Sequence, residues 1–259
     1  MQLDYIDFAS EDGNMAQALF EITEKNKLKE MTAFSFQCNE SFIIAIGQKD
    51  ISEAMIRENI PANTPISRGY KKGNYAGIGA QYYLPGSIYI GFSSKETERI
   101  SELVELTQSI VNRNLREAGI NTFIANNDIY MDDGKNKKKF SGYACTDLGD
   151  YITFGLTLSL DVDNEKMDKL YDFNSEKFTK KGKITTTKNI VGGLREIKKD
   201  IEYQPLAENI IKDLADRLGY KFKKREATIE EKTAITDLKK ILSNEEWGYN
   251  GNHPFRKKC

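Results

Sequence analysis

Lys139, Ser141 and Gly142 stand together in the run Lys-Phe-Ser-Gly, a short distance after Asn127-Asp128-Ile129. An ammonium, a hydroxyl and a bare glycine backbone are groups that can hold a carboxylate or a phosphate ester. If a strand begins at Lys139, alternation puts Lys139, Ser141 and Tyr143 on one face. The same residues equally describe a charged hairpin tip, solvated and chemically idle. A second stretch, Ala76-Gly77-Ile78-Gly79-Ala80, leaves backbone open to close approach by a ligand, or simply makes a tight hairpin. It is no Walker A loop, because no Gly-Lys-Ser/Thr follows. Nor is it a dinucleotide fingerprint, because a strand rather than a helix comes next. Gly47-Gln48-Lys49, between a β-rich run and a short helix, suits an anion or an ordinary turn.

The elements that must position these groups read as follows. Leu3 to Phe8 is a short strand, and Asp12-Gly13-Asn14 turns into a helix carrying Ala16, Leu19, Phe20 and Ile22. Ala33–Gln37 and Ser41–Ile46 form a hairpin about Cys38-Asn39-Glu40, and Ile51 to Arg57 is a short helix. Pro65 to Arg68 is a strand, and the glycine stretch pairs through Pro85-Gly86 with a strand from Ser87 to Phe92. A capping box at Ser93 and Glu96 opens a long core helix that Gly119 closes. Asp132-Asp133-Gly134 turns between the two strands of the lysine hairpin. Tyr151 to Leu160 is a buried strand. Lys166 to Tyr171 is a short helix, and Phe173 to Thr187 is a mobile lysine-rich loop near the site. Pro205 opens a helix that Gly219 ends, Tyr220 to Lys223 alternates like an edge strand, and Thr228 with Glu231 caps a last helix. The end, which holds Trp247, is an irregular docked tail.

The 259 residues suffice for a real core, read here as a single domain over 1–259 with a helical C-terminal part from about 200. The net charge of −1, from many charges of both signs, gives no bulk attraction to nucleic acid or to an acidic lipid surface. No apolar run reaches the ~20 residues of a membrane helix, and Met1-Gln2-Leu3-Asp4 does not open a signal peptide. Cys38, Cys145 and Cys259 lie far apart without metal spacing, which fits a reducing, cytoplasmic setting. A single histidine, His253, argues against zinc sites and histidine triads.

Taken in order, Asn14-Met15-Ala16, the run from Ser41 to Gln48, Arg68, Ala76–Ala80, Asn127-Asp128-Ile129, Lys139-x-Ser141-Gly142, Phe154–Thr157 and Glu246-Trp247 resemble the lipoate–protein ligases of the biotin/lipoate A/B ligase family. The likeness runs over nearly the whole chain and covers the catalytic domain without the C-terminal accessory domain. It implies an α+β fold, a largely antiparallel or mixed sheet flanked by helices, of the kind shared with class II aminoacyl-tRNA synthetases and biotin ligases. It also implies an ATP-dependent, AMP-forming ligase. Lipoate attacks the α-phosphate of ATP, with Mg2+, to give lipoyl-AMP and pyrophosphate. A lysine of a carrier domain (a glycine cleavage H-protein or a 2-oxoacid dehydrogenase E2-like domain) then displaces AMP. By the same resemblance Lys139 sits on the carboxylate and phosphate oxygens, and Asp128 holds the metal or nucleotide beside Asn127. Arg68 faces the phosphates. Gly77, Gly79, Ala80, Ser141, Gly142 and Gly155 line the lipoyl-AMP, and a separate small accessory polypeptide is an expected partner.

The sequence departs from the family pattern at several points. Arg68 stands without a second arginine, Ile78 replaces a glycine, Tyr83-Leu84 replaces a histidine–aspartate pair, Ala18 replaces an acidic residue and Phe154 replaces a histidine. Two other functions share these residues. One is an octanoyl or lipoyl acyltransferase working without ATP through a cysteine thioester, for which Cys145 is the nearest thiol. The other is a non-catalytic subunit that binds lipoyl domains.

Overall fold

The computed structural model describes residues 2–24, 31–44, 55–68, 80–94, 100–125, 128–132, 134–147, 152–179 and 184–243. In chain order the first half comprises β1 (Gln2–Glu11), α1 (Gly13–Glu24), β2 (Met31–Cys38), β3 (Ser41–Ile44), β4 (Ile66–Arg68), β5 (Ala80–Tyr83), β6 (Ile88–Ser94) and α2 (Ile100–Glu117). The second half comprises β7 (Thr122–Ala125), β8 (Asp128–Asp132), β9 (Lys137–Lys139), β10 (Ser141–Asp147), β11 (Ile152–Leu158), α3 (Asn164–Leu170), α4 (Glu176–Thr179), α5 (Tyr203–Leu218), β12 (Lys221–Lys224) and α6 (Ile229–Leu242).

Six strands make a mixed sheet in the order β10-β11-β6-β2-β1-β12. The pairs from β10 through β2 are antiparallel, whereas β1 runs parallel to both β2 and β12. Period-two alternation gives this sheet two apolar faces. Ile88, Ile90 and Phe92 of β6 and Ile152, Phe154, Leu156 and Leu158 of β11 pack with α2 and α5. Phe34 and Phe36 of β2, with Tyr89 of β6, pack on the other face with α1 and α6. The expected mixed α/β architecture is therefore present. Two three-stranded sheets attach to it, β4-β3-β5 and β7-β8-β9.

Three sequence expectations are corrected. Runs β2 and β3 form no hairpin, because the chain changes sheets at Asn39-Glu40. There Cys38 exchanges backbone bonds with Ser87 and Gly86, and the Asn39 N–H donates to the Glu11 carbonyl. Similarly β5 pairs with β3 whereas β6 enters the main sheet between β11 and β2. Pro85-Gly86 is a turn as expected, with Gly86 at φ +81, but it joins two sheets rather than one hairpin. Ser93 belongs to β6 and caps no helix, and its supposed partner Glu96 lies outside the described residues. The stops at Gly119 and Gly219 hold, both at positive φ. The predicted helix before Arg57, apart from its last residues, and the C-terminal tail also lie outside the described residues.

Helix α6 starts with the expected capping box, in which Thr228 and Glu231 satisfy each other's backbone N–H. Glu231 also takes two charge-assisted bonds from Arg225, whose Nε donates to Asp4 at 2.7 Å. This ion triad fastens α6 to the edge of the main sheet. Burial alone raises the Glu231 pKa, but the Arg225 guanidinium and the Thr228 N–H override it and hold the carboxyl below its ordinary value. A depressed folded pKa gives stability present above the unfolded value and lost as pH falls through the folded one. Glu231→Gln is therefore expected to cost about 3 kcal/mol at neutral pH. In urea titrations the gap between wild type and variant should narrow steadily as pH drops below the ordinary glutamate value of 4.5.

Candidate active site

The lysine-bearing hairpin is built from β8 and β9, turned by Gly134 at φ +83 with its N–H on the Asp132 carboxylate. Ile129 and Met131 point inward to the α2/α5 core, which leaves Asp128, Tyr130 and Lys139 on the outer face. There Lys139 Nζ donates to Asp128 Oδ2 at 2.7 Å, with the two side chains 35% and 17% exposed. Phe123 and Tyr130 stack at 5.6 Å in the same cross-strand row as Lys139.

Between Lys139 and Ser141 the chain leaves this small sheet and joins the large one. Phe140 is buried in the core, and Ser141 pairs with Leu158 on the same core face. Two successive residues thus turn inward, and strand parity shifts by one. The face shared with Lys139 is therefore that of Gly142 and Ala144, not that of Ser141 and Tyr143. The Ser141 hydroxyl is occupied by Ile129, accepting from its N–H at 3.0 Å and donating to its carbonyl at 3.2 Å. Ser141 stitches β8 to β10.

Beyond Lys139 the outer face of the main sheet is a strip of small side chains. Gly142 pairs with Thr157 and Ala144 with Gly155, and Gly155 pairs in turn with Gly91. Gly142 and Ala144 are half-buried, whereas Gly155 is fully buried. The Thr157 hydroxyl donates to the Gly142 carbonyl at 3.1 Å. The strip ends against an aromatic wall. Phe36 and Tyr89 stack at 4.7 Å, Tyr83 tilts onto Tyr89 at 6.1 Å, and the Phe34 ring sits so close to Gly91 that a Cβ there would meet it at 2.3 Å. A cation beside a strip of small side chains, of which Gly142 and Ala144 remain partly exposed, suits an acid whose carboxylate lies at Lys139.

The other predicted groups fall as follows. Arg68 ends β4 and Ala80 begins β5, and both pair with Ile44, one on each side. Gly77, Gly79 and Asn127 lie outside the described residues, as do Lys71, Lys72 and the Gly47-Gln48-Lys49 turn. Phe154 points into the core, stacked on Phe92 at 5.1 Å, and so stands on the face opposite the strip. Cys145 is buried on that same core side, and Cys38 is buried between β2 and α1, where desolvation pushes its thiol pKa up. Among the described residues no three His, Cys, Asp or Glu side chains gather into a metal site.

The feature that sequence reading missed is a strap, residues 184–197, whose first residues, up to Thr187, were expected to end a mobile loop. Thr186 and Thr187 are instead bound to Asp168 of α3, with donor–acceptor distances of 2.6, 2.7 and 2.8 Å. The strap then runs parallel to β9. The Lys139 N–H donates to the Ile190 carbonyl at 2.7 Å, and the Gly192 N–H donates to the Lys139 carbonyl at 3.0 Å. Gly193 is required by close approach, since a Cβ there would meet the Leu160 carbonyl oxygen at 2.4 Å, while at Gly192 a Cβ would meet Met131 Cε at 2.1 Å, the movable end of a side chain. Glu196 binds both the Gly193 N–H and Lys138 Nζ. The Gly192-Gly193 pair was the available signal.

Comparison with known proteins agrees with this fold. An archaeal bi-partite lipoate protein ligase from Thermoplasma acidophilum superposes with a TM-score of 0.75 at 19% identity over 95% of both chains. A lipoate-protein ligase A bound with ATP gives 0.74 at 18% identity, over 96% of this chain and 98% of that one. LipL1 of P. falciparum, in complex with lipoate, gives 0.71 at 16% identity, over 99% of this chain and 76% of that one. The fold is that of the lipoate–protein ligases. No curated protein sequence matches the chain. The lipoyl protein ligase A/B catalytic domain model matches residues 80–215, over half of the sequence, and the chain belongs to that family.

Removing the Ser141 hydroxyl would take from the Ile129 N–H its acceptor and from the Ile129 carbonyl its donor. Ser141→Ala is expected to lower unfolding free energy by about 1–3 kcal/mol. The check is a urea midpoint shift at unchanged slope.

Proposed function

We propose that the protein is an ATP-dependent lipoate–protein ligase. The carboxylate of lipoate attacks the α-phosphorus of ATP, the bond to the bridging oxygen breaks, and pyrophosphate leaves lipoyl-AMP behind. The ε-amine of a carrier-domain lysine then attacks the acyl carbonyl, AMP departs with the bonding pair, and the nitrogen loses a proton. The observation that carries this reading is the ion-paired Lys139 at the head of the Gly142-Ala144-Gly155 strip, in a chain of this family.

Lys139 offers its ammonium to oxygens whose charge changes in both steps, an electrostatic contribution that requires position more than reactivity. Asp128 keeps that ammonium directed across the outer face until an anionic oxygen competes for it. The octanoyl or lipoyl chain lies on the small-residue floor, with the aromatic wall beside it. By the family resemblance Arg68 would meet the phosphates, Gly77, Gly79 and Ala80 would offer backbone to the ligand, and Asn127 would add a polar contact. Magnesium, when bound with ATP, would supply charge neutralisation at the phosphates, with Asp128 its protein contact.

The acceptor would be a lipoyl carrier domain of the H-protein or E2 kind. A separate accessory polypeptide is part of the proposal, supported by the Thermoplasma neighbour, described as bi-partite and studied with its E2 lipoyl domain. The thioester alternative is disfavoured because Cys145 lies on the core side of the sheet, away from the strip.

Purified protein with ATP, Mg2+, lipoate and a carrier domain should add one lipoyl group, read by intact mass, and synthetic lipoyl-AMP should support the second step alone. Lys139→Ala is expected to slow transfer from lipoyl-AMP at least about 100-fold with unchanged melting. A variant that transfers at the wild-type rate would remove Lys139 from the site.

A further inference from the structure

Lys139 is held by its backbone from one side only. In an antiparallel pair a residue's N–H and C=O point the same way, so a residue bonded outward is a non-hydrogen-bonded partner on the inner side. Both polar groups of Lys139 go outward to Ile190 and Gly192, which leaves its pairing with Tyr130 on β8 without backbone bonds of its own. The strap therefore fixes where the Lys139 Cα stands.

The strap is tied at its far end by the Leu194 and Arg195 N–H groups, which donate to the Ser159 and Leu160 carbonyls, and at its near end by Thr187, which is 5% exposed and whose carbonyl accepts from both Ile190 and Val191, at 2.9 and 2.8 Å. Thr187 hangs on Asp168. That carboxylate takes the Thr186 hydroxyl, the Thr187 N–H and the Thr187 hydroxyl. Asp168 belongs to α3, which is itself joined to the small sheet that ends at Arg68 and Ala80. Lys166 Nζ and the Tyr82 hydroxyl both bind Glu40 Oε1, at 2.5 and 2.7 Å, and the Ile56 N–H donates to the Leu170 carbonyl.

We propose that Asp168 is a positioning residue for Lys139, acting through Thr187 and the 190–192 backbone, and that α3 keeps the ammonium in register with the small sheet. The claim that this matters for acyl transfer rests on the functional reading above; the claim that Asp168 fixes the Lys139 backbone does not. Asp168 touches no reacting atom. It sets the origin of a long side chain, where a displacement near 1 Å is enough to cost about 100-fold in rate.

The test compares the full chain with Asp168→Ala, Asp168→Asn, Thr187→Val and Thr187→Ser. Amide hydrogen exchange is followed at Lys139, and single-turnover transfer from synthetic lipoyl-AMP to a lipoyl carrier domain is measured alongside. Asp168→Ala is expected to speed exchange at the Lys139 amide at least about tenfold while amides of α5 and β11 keep their protection. Its transfer rate should fall about 10- to 100-fold with little change in the lipoyl-AMP concentration at half-saturation. Thr187→Ser, which keeps the hydroxyl, should match wild type in both readouts, and Thr187→Val should fall between.

Unchanged exchange at Lys139 in Asp168→Ala overturns the positioning role, and so does a loosened amide with an undiminished transfer rate. If Asp168→Ala loosens α5 as well, the Thr187 pair decides: equal behaviour of Val and Ser rejects the proposal. Wild-type protein that transfers nothing would count against lipoate ligation, while the exchange data still settle the mechanical claim.

Discussion

Phe140 is where two sheets compete for one strand. Its neighbour Lys139 is registered on β8 of one sheet, while Ser141 is registered on β11 of another. A regular strand cannot serve both, so an extra inward residue is inserted, and parity shifts. Ser141 makes the shift tolerable by occupying both backbone groups of Ile129. The consequence is chemical. Because Phe140 and Ser141 both turn to the core, the ammonium and the small-residue strip emerge on one face, and the hydroxyl that alternation would have set beside them is withdrawn.

The second consequence is mechanical. A residue at a sheet junction loses part of its ladder, and its backbone polar groups must be satisfied elsewhere. The strap supplies them for Lys139, and its glycines let it run against Met131 and Leu160 with no side chain between. Ion pairs add less. Lys138–Glu196 and Lys166–Glu40 are partly exposed, and pairs of that kind contribute roughly 0–1 kcal/mol. Their value is directional: Lys138–Glu196 ties β9 to the strap, and Lys166–Glu40 ties α3 to the chain entering β3.

Elements whose determinants are local were readable. The Thr228 cap, the positive-φ stops at Gly119 and Gly219, the buried strand β11 and the edge strand β12 each depend on residues within a few positions of one another. What was not readable depends on distant partners. Nothing within Ser41–Ile44 says that it pairs with β4 and β5 rather than with β2, because the deciding bonds come from Glu11, Ser87 and Gly86. Likewise Asp168 reads as one more polar residue of a short helix. Its role depends on threonines whose position is fixed only once the strap reaches β9. In the candidate site, Lys139, Asp128 and Gly142 were legible as residue types. The face they occupy was not, since a one-residue parity shift at Phe140 reverses it.

The departures from the family pattern look different once the faces are assigned. Phe154 occupies a position where the pattern has histidine, yet its ring is locked between Phe92 and Tyr143 in the core. Its substitution alters packing and leaves the strip untouched. Tyr83 is another matter, because it joins Tyr89 in the wall beside the strip, and Ala18 is buried in the same cluster. Both changes leave an uncharged side chain in the buried cluster on that face of the sheet. A polar group there would need a partner or would cost about 1–3 kcal/mol on burial. With those positions apolar, the wall becomes more hydrophobic, and the described charge of the site concentrates in one ammonium and one carboxylate.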